Sequence, residues 1–394
     1  MQRTGVLMTS FEESFQIAPT ARLLTPDAAG TALLWEALQN QASLRSSALS
    51  KSPLQALPGN PQRLYCESSG SSGAPKLIRR TPVSWRASFD VNRQQFGVDA
   101  GDTYAVLGHL GHSLSFYAAL EALHIGAGLA SLAGHGPRSQ AEAIRAHEIT
   151  TLYATPSQLQ LIIRADPDPF PTVQRIFFGG GKMDKNLRAR LAERFTNANQ
   201  REFFGASETS FVSISDETTP EGSVGHPYPG VKLRIGNGNA MGEIGEVWVQ
   251  SPYLFDDYEQ GDSPHTVWQD RYLSIGEMGH LDADGYLYLA GRKSRMVTVA
   301  DQNVFPEAIE AFLQGLPNVD AAAVITPDDP RRGAQIVAAV VGKVDATSLR
   351  RACRAELGDA AVPRAIWILQ DLPMLPAGKP DLQRLTTLWE EQNR

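Results

Sequence analysis

The stretch SSGSSGAPK, from Ser68 to Lys76, places hydroxyl side chains, glycines and one lysine between two apolar-leaning runs. Gly/Ser-rich stretches serve as flexible linkers, but backbone N–H groups with a lysine also form loops that hold phosphate. Ala74 and Pro75 stiffen the end of the stretch, and its flanks have the character of strands. We predict a loop that reverses a buried element and binds a polyphosphate, although its spacing does not fit the Walker sequence.

Three further patterns contain residues that bind ligands in other proteins. Gly179-Gly180-Gly181 follows an apolar run and allows the backbone to approach a flat ring closely. His109 and His112 have the spacing of a metal pair, but no third ligand is evident. The run from Asp282 to Gly285 lacks the remaining positions of a calcium loop and fits a tight Asp-Gly hairpin turn. These patterns predict a ring-binding loop and no protein-only metal centre.

The composition narrows the class of protein. The 394 residues exceed what one hydrophobic core holds, and 42% apolar with 20% charged residues is typical of soluble globular proteins. A net charge of −7 gives no electrostatic reason to expect nucleic acid or an anionic membrane as a partner. Two cysteines, no signal-peptide core and no apolar run of roughly 18 residues predict a cytoplasmic protein without a membrane span.

The arrangement of elements predicts an α/β protein. Apolar strands near Tyr104, Thr151 and Arg175 alternate with helices such as Phe116–Ile125, which favours a largely parallel sheet. A further helix is predicted over residues 31–43. Together these elements are predicted to form the first part of a large N-terminal domain over residues 1–291.

The second half of the chain has a different pattern. From about residue 222 to 291, short strands separated by Gly, Asn and Asp predict a compact antiparallel β unit. Residues 292–394 predict a small α+β domain, with a helix that begins at Pro306.

Several motifs occur in the order found in one family. They are SSGSSGAPK at 68–76, FGASE at 204–208, YLSIGEMGHLDADGY at 272–286, GRKSRMV at 291–297, VADQNVFPEAIE at 299–310 and LPMLPAGKPD at 372–381. Over roughly residues 65–390 the chain closely resembles the adenylate-forming (ANL) superfamily of acyl-CoA synthetases, peptide-synthetase adenylation domains and luciferases. The resemblance implies a large adenylation core and a mobile small C-terminal domain that carries a catalytic lysine.

The resemblance also implies roles for individual residues. The catalytic residues are Lys379, Ser207, Glu208 and His112, and Glu208 also holds Mg²⁺. The ATP-binding residues are Ser68, Ser69, Gly70, Ser71, Ser72, Gly73, Lys76, Gly180, Gly181, Phe204, Gly205, Glu277 and Arg292. The resemblance implies that Phe204 and the glycine segment lie against adenine. It also implies that Glu277 and Arg292 bind the ribose and that Ser207 and Lys379 meet the α-phosphate. His112, Ser115 and Phe116 match the region of the family's acyl pocket, although a core or capping histidine is an open alternative. From the residues alone, Phe178, Phe203, Phe211 and Tyr117 beside the small Gly179 and Ala206 predict an apolar slot.

The chain departs from the family pattern at four places. Glu277 stands where the family usually has Asp, Ser294 where it often has Asp or Lys, and Asp301 where it has a glycine near the path of the thiol arm. Only 67 residues precede the phosphate loop, fewer than family members usually carry. We therefore expect an abbreviated form of the first subdomain.

The implied reaction is ATP-dependent activation of a carboxylic acid as acyl-AMP, followed by transfer to a thiol. An aryl or fatty acid fits the predicted slot, and CoA is the expected acceptor. Two alternatives stay open: loading of a carrier-protein phosphopantetheine, and an inactive nucleotide-binding homologue. Lys379→Ala is expected to cost on the order of 2–4 kcal/mol of transition-state stabilisation in acyl-AMP formation.

Overall fold

The structure is a computed structural model that describes residues 14–59, 61–68, 75–181, 183, 185–236, 242–299, 302–329, 333–375 and 380–393. The α-helices of these residues are α1 (Thr31–Gln39), α2 (Pro82–Phe96), α3 (Ser113–Ile125), α4 (Pro137–Ala146), α5 (Pro156–Ala165), α6 (Lys185–Arg194), α7 (Pro306–Gln314), α8 (Ala346–Leu357) and α9 (Leu382–Gln392). The strands are β1 (Arg22–Leu23), β2 (Ser43–Ser46), β3 (Leu54–Leu57), β4 (Leu64–Ser68), β5 (Lys76–Arg80), β6 (Thr103–Val106), β7 (Gly128–Ser131), β8 (Thr151–Ala154), β9 (Arg175–Phe178), β10 (Asn199–Ala206), β11 (Ser210–Ile214), β12 (His226–Pro227), β13 (Lys232–Gly236), β14 (Gly245–Gln250), β15 (Asp257–Gln260), β16 (Val267–Gln269), β17 (Tyr272–Leu281), β18 (Leu287–Arg292), β19 (Val297–Val299), β20 (Gln302–Val304), β21 (Val319–Ile325), β22 (Asp328–Asp329), β23 (Gly333–Ala334), β24 (Val337–Gly342) and β25 (Ala365–Leu369).

An eight-stranded sheet has the order β1-β7-β6-β8-β9-β10-β11-β12. Its first six strands are parallel, and β11 and β12 continue it in antiparallel pairing. Strands β7 and β8 are buried along their whole length, as expected for parallel strands covered on both faces. The hydrophobic cores lie on the two faces: Phe177 belongs to one core cluster and Phe178 to the other, because successive side chains of a strand point to opposite faces.

The topology of this sheet collects loops at one edge. Parallel strands have their carboxyl ends at the same edge, and ligands of open α/β sheets bind in the crevice there. The segments that leave the ends of β6, β8, β9 and β10 contain Gly108–His112, Thr155, Gly179–Gly181 and Ser207–Glu208. Residues separated by about a hundred positions in the sequence therefore meet at one edge.

The second sheet, of order β15-β5-β4-β2-β3, carries the phosphate-loop candidate. Strands β4 and β5 pair antiparallel, with Ser68 opposite Lys76. This confirms the prediction that the stretch SSGSSGAPK reverses a strand. The helix predicted over 31–43 was too long: α1 ends at Gln39, Gln41 takes a left-handed φ of 52°, and Ser43–Ser46 pairs as β2.

The predicted antiparallel unit after residue 222 forms a third sheet. Strands β13, β14, β17 and β16 follow one another, and β18 also pairs with β17. The turn between β17 and β18 is closed by Asp282, whose carboxylate accepts the N–H of Asp284 and of Tyr286, with Gly285 at a positive φ of 85°. The Asp282–Gly285 run is thus a hairpin turn, as predicted.

The C-terminal part of the chain is built on a three-stranded sheet of order β21-β24-β25 with α7, α8 and α9. Its apolar side chains form two core clusters of their own, drawn from residues beyond Val297. The mixed α/β architecture with a smaller C-terminal α+β part is therefore confirmed, and the division at residue 291 stays a prediction. Within the described residues, no helix is both apolar and long enough to pass through a bilayer.

Candidate active site

The base of the predicted phosphate loop is the end of a paired hairpin, with Ser68 opposite Lys76. Lys76 begins β5 and is only 7% exposed, with its Nζ 5.6 Å from the centre of the Tyr258 ring. Strand β15 holds Tyr258 beside this hairpin, since it pairs antiparallel with β5 and sets Tyr258 opposite Ile78. Ser69, Gly70, Ser71, Ser72 and Gly73 lie outside the described residues, so their predicted roles stay predictions.

Ser207 and Glu208 lie in the turn between β10 and β11. Gly205 makes this turn possible, because a Cβ at that position would overlap the carbonyl oxygen of Ser210. The turn is tied by the N–H of Ala206, which donates to Oγ1 of Thr209 at 3.0 Å. The Oγ of Ser207 lies 2.7 Å from Oγ of Ser113, at the first turn of α3. A hydroxyl predicted to bind the α-phosphate is thus anchored to a second element.

The carboxylate of Glu208 is held by Tyr258, whose hydroxyl donates to Oε1 at 2.8 Å. Burial and the nearby charge of Glu208 raise the pKa of Tyr258, which keeps that hydroxyl protonated and able to donate. The described residues include no group of three metal-ligating side chains. Mg²⁺ normally binds through one or two carboxylates together with substrate phosphates and water, so a lone Glu208 beside the phosphate loop fits that ion.

Arg80 is a fully buried guanidinium beneath the Ser207 turn. Its Nη groups donate to the carbonyl oxygens of Ser207 and Tyr253 (3.2 Å from the latter) and to Oγ of Ser210 at 2.8 Å. The guanidinium also lies over the ring of Trp85 at 4.8 Å. Burial lowers the pKa of Arg80 from its usual value, and no ion pair among the described residues includes it. Arg80 therefore fixes the turn that carries Ser207 and Glu208.

The two residues predicted to bind the ribose form a cross-strand pair. Glu277 on β17 lies opposite Arg292 on β18, and Nε of Arg292 donates to Oε1 of Glu277 at 3.0 Å. Next to them, Nζ of Lys293 donates to Oε2 of Glu246 at 2.9 Å. Both ion pairs tie the segment that leads into the C-terminal part back onto the third sheet. The longer Glu277 side chain thus reaches Arg292 across the strand pair, and the binding of the ribose by these two residues stays a prediction.

The glycine loop after β9 packs against β10. A Cβ at Gly179 would lie 2.6 Å from the ring of Phe203, so the absence of a side chain lets that ring cover the loop. Gly180 has a positive φ of 77°, a conformation that favours glycine. Gly181 lies against Pro156, which a Cβ would contact at 3.6 Å. The loop and the half-buried Phe204 lie at adjacent strand ends, as the adenine prediction requires.

The predicted apolar slot needs one correction. Phe178 is fully buried in the core cluster on the far face of the sheet, with Arg188 5.3 Å from its ring centre. It points away from Phe203 because β9 and β10 alternate faces in register. Phe178 is therefore a core residue, and the prediction that it lines the pocket was wrong.

Three other predicted pocket residues belong to the core cluster opposite Phe178 or pack against it: Phe116, Phe203 and Phe211. Phe211 packs edge-on against Phe203 at 4.7 Å, and Phe116 against Trp85 at 5.7 Å. Ser115 is buried, whereas Phe203 and Ala206 are half-buried. Phe203 and Phe211 thus pack together, and the apolar slot itself stays a prediction.

His112 and Lys379 have different outcomes. His112 immediately precedes α3 and is half-buried, next to the Ser113 that contacts Ser207. It is thus near the candidate site, and its catalytic role stays a prediction. Lys379 lies outside the described residues, and so does Asp301.

Sequence reasoning missed three residues that shape this site. Arg80 bonds Ser207, Ser210 and Tyr253, which are 127 to 173 positions away in the chain. Tyr258 bonds Glu208 50 positions away, and Thr266 bonds Tyr258 from an irregular loop, so no local spacing relates these residues to Glu208. The only local signal was the strand KLIRR, in which alternation places Lys76, Ile78 and Arg80 on one face.

Comparison with known proteins identifies the family. A family model described as AMP-binding enzyme matches residues 24–259, more than half of the chain, and a model of the AMP-binding enzyme C-terminal domain matches residues 308–379. The chain belongs to the AMP-binding enzyme family. The predicted resemblance to adenylate-forming enzymes is thereby confirmed.

Individual relatives agree with this family. An uncharacterized acyl–CoA ligase of Bacillus subtilis, YhfT, is 30% identical over 331 residues, which cover 82% of this chain and 68% of that protein. The indoleacetate–CoA ligase of Aromatoleum aromaticum is 27% identical over 349 residues, with 82% and 68% covered. These relatives confirm the predicted class of enzyme, an AMP-forming ligase.

Solved structures agree in fold. The amide bond synthetase McbA from Marinactinospora thermotolerans superimposes with a TM-score of 0.74 at 25% identity, over 94% of this chain and 79% of that one. The o-succinylbenzoate CoA synthetase MenE from Bacillus subtilis, solved with ATP and a magnesium ion, has a TM-score of 0.74 at 22% identity, over 82% and 69%. The second likeness, at its lower identity, shows the fold alone.

Proposed function

We propose that this protein is an ATP-dependent acid–thiol ligase that activates an aryl or fatty acid as acyl-AMP and transfers the acyl group to CoA. The observation that carries this proposal is the contact of Tyr258 with both Lys76 and Glu208. Through Tyr258, the base of a loop with the residues of a polyphosphate-binding loop is linked to a carboxylate that could bind Mg²⁺. Both lie at the carboxyl edge of the parallel sheet.

The first step follows from the chemistry of carboxylates. One carboxylate oxygen forms a bond to the α-phosphorus of ATP, and the bond from that phosphorus to pyrophosphate breaks. In this proposal, the loop residues Ser71 and Ser72 with Lys76 hold the departing pyrophosphate. Ser207 and Lys379 contact the α-phosphate, and bound Mg²⁺ offsets negative charge on the phosphates. Catalysis is then mainly positioning and charge stabilisation.

The remaining parts of ATP have candidate contacts in the same cleft. Glu277 accepts from the ribose hydroxyls, with Arg292 keeping its carboxylate in place at 3.0 Å. The adenine lies between the loop Gly179–Gly181 and Phe204. In the second step a thiolate attacks the acyl carbon, and AMP leaves with the bridging oxygen that came from the acid.

The acid belongs to the aryl or fatty classes in this proposal. The half-buried Phe203 and Ala206 offer apolar surface, and the first turn of α3, directly after His112, has no acidic side chain that could pair an α-ammonium group. Relatives named as long chain fatty acid–CoA ligases and as an indoleacetate–CoA ligase support both classes. Likeness to an amide bond synthetase at 25% identity makes an amine the acceptor to test against CoA.

The test is acid-dependent release of pyrophosphate from Mg·ATP across a panel of aryl and fatty acids. Each acid is measured alone, with CoA, with a phosphopantetheinylated carrier protein and with a primary amine. Release that depends on acid and rises further with CoA is the expected result. A rise with the amine or the carrier protein alone reassigns the acceptor. Absence of release with every acid, in protein that binds ATP, contradicts the proposal and indicates an inactive homologue.

A further inference from the structure

Tyr258 occupies a junction between the phosphate hairpin and the Ser207–Glu208 turn. Its strand β15 pairs with β5, and a register irregularity follows directly after Tyr258. The N–H of Phe255 donates to the carbonyl oxygen of Glu208 at 2.8 Å, so the segment before β15 is tied to the same residue. The Tyr258 ring is supported by Phe255, with ring centres 5.0 Å apart. These backbone and ring contacts thus place the Tyr258 hydroxyl next to the Glu208 carboxylate.

The directions of two hydrogen bonds at this hydroxyl follow from the chemistry of the groups. An ionised carboxylate can only accept, so Tyr258 donates its single proton to Oε1 of Glu208 at 2.8 Å. Oγ1 of Thr266 lies 2.9 Å from the same hydroxyl and must therefore donate to it. The result is a directed chain from Thr266 through Tyr258 to Glu208, in which each hydroxyl proton has one acceptor.

We propose that Tyr258, oriented by Thr266, is a positioning residue that holds the Glu208 carboxylate in the orientation that binds the nucleotide-associated metal ion. The inference rests on the proposed role of Glu208. Tyr258 takes one carboxylate oxygen, which fixes the side chain and leaves Oε2 for a metal ion on the phosphates. Among the described residues, neither an ion pair nor another hydrogen bond to this carboxylate competes for that oxygen.

The same ring links metal and phosphate binding. Nζ of Lys76 lies 5.6 Å from the ring centre of Tyr258, within the range of a cation–π interaction. The face of the ring therefore contacts the lysine that is proposed to hold the pyrophosphate, while its hydroxyl contacts the proposed metal ligand. Removing only the hydroxyl should weaken metal binding and leave the ring–lysine contact in place.

The experiment uses the full-length protein and Mn²⁺ as a paramagnetic probe for Mg²⁺. Mn²⁺ is titrated in the presence of ATP and absence of acid, and free ion is measured by electron paramagnetic resonance. Groups that orient metal ligands typically contribute 10–100-fold to metal affinity, so Tyr258→Phe should raise the Kd for Mn²⁺ about tenfold. Thr266→Val, which removes the donor to Tyr258, should raise it by a smaller factor of about three. Neither change should shift the Tm of the nucleotide-free protein by more than a few degrees.

Tyr286→Phe is the matched control, because the Tyr286 hydroxyl also bonds a threonine, Thr218 at 3.0 Å, but on the exposed β17–β18 turn. It should leave Mn²⁺ binding unchanged. Since this readout needs no acid and no turnover, it remains valid if the proposed ligase reaction fails. An unchanged Mn²⁺ affinity in Tyr258→Phe overturns the inference, and so does an equal loss in Tyr286→Phe. If Tyr258→Phe does not fold, Thr266→Val decides, and its unchanged affinity overturns the inference as well.

Discussion

Arg80 is the residue whose surroundings differ most from what its type suggests. Arginine side chains are almost never fully buried without a charged partner. Here the guanidinium bonds carbonyl and hydroxyl oxygens, including those of Ser207, Ser210 and Tyr253, while its Nε has no hydrogen-bond partner among the described residues. Two of these contacts, with Ser207 and Ser210, lie on or beside the turn that holds Glu208. The buried charge of Arg80 is therefore explained by the hydrogen bonds that its guanidinium donates to the turn.

Replacing Arg80 by methionine should lower the activity and the stability together. Loss of the guanidinium leaves buried acceptors such as the Ser207 carbonyl unpaired, at about 1–3 kcal/mol. We expect acid-dependent pyrophosphate release to fall about tenfold, which corresponds to about 1.4 kcal/mol, and urea unfolding to show a similar loss of free energy.

Arg79 provides the matched control on the same strand. It forms an exposed ion pair with Glu259 at 2.9 Å, a kind of contact worth about 0–1 kcal/mol. Arg79→Met should leave both measurements nearly unchanged. If the two variants behave alike, the buried contacts of Arg80 do not position the turn.

Single residues of the site were predictable where a local string defines them. Lys76, Ser207 and Glu208 were found in short motifs, and each lies at the end of a strand as expected. Arg80 and Tyr258 were not found, since their partners are 130 and 50 positions away in the chain. Only the pairing of β15 with β5 brings Tyr258 to the site, and no sequence pattern specified that pairing.

Among the elements, α3 joins the active-site edge to a buried polar network. Two turns beyond Ser113, the carboxylate of Glu121 accepts from Nδ2 of Asn92 at 2.6 Å and from the hydroxyl of Tyr153 at 2.7 Å. Asn92 lies on α2 and Tyr153 on β8, so the network ties two helices to the parallel sheet. Burial raises the pKa of Glu121 to about 7, with the two hydrogen bonds acting in the opposite direction.

This raised pKa predicts how the stability contributed by Glu121 depends on pH. Between pH 4.5 and 7 the unfolded chain releases this proton while the folded protein retains it, so the contribution to unfolding free energy falls as pH rises. Across that window the fall is on the order of 3 kcal/mol. The difference in unfolding free energy between wild type and Glu121→Gln should therefore decrease with rising pH, measured by urea unfolding.

Glu142→Gln is the control for that series, because Glu142 is exposed on α4 and pairs with Arg138 at 3.5 Å. Its stability difference from wild type should stay nearly constant over the same window. A constant difference for Glu121→Gln as well would show that Glu121 is ionised in the folded protein throughout.

The elements were largely predictable from hydrophobic periodicity, and the exceptions have physical causes. The strands β8 and β9 and the start of α7 at Pro306 agree with the sequence pattern. The end of α1 was misplaced because a left-handed Gln41 redirects the chain into β2. Phe178 was assigned to the pocket because the sequence pattern identifies the strand but does not show which of its faces lies toward the candidate site.

At the scale of the whole molecule, the proposed reaction needs both parts of the chain. The family model of the C-terminal domain ends at residue 379, and the sequence motif places Lys379 there. The segment from Arg292 is tied to the third sheet by the pairs Glu277–Arg292 and Glu246–Lys293, before the C-terminal core begins. In the proposed reaction, Lys379 from the second part of the chain completes the adenylation site.

Lys379→Ala tests that division of labour through the two half-reactions. Acyl-AMP formation should fall by about 30- to 1,000-fold, since one charge-stabilising donor contributes on the order of 2–4 kcal/mol. Thioester formation from chemically prepared acyl-AMP and CoA should be nearly unaffected, because that step releases no pyrophosphate whose developing charge the lysine would stabilise. An equal loss in both half-reactions contradicts the role.

The most direct measurement of the central claim follows oxygen from the acid. The acid that best supports pyrophosphate release is supplied with ¹⁸O in its carboxylate, together with Mg·ATP and CoA, and the released AMP is examined by mass spectrometry. Because the carboxylate oxygen attacks the α-phosphorus, we predict AMP that carries one ¹⁸O atom and pyrophosphate that carries none. Unlabelled AMP, or ADP with labelled phosphate, would contradict acyl-AMP formation and with it the proposed function.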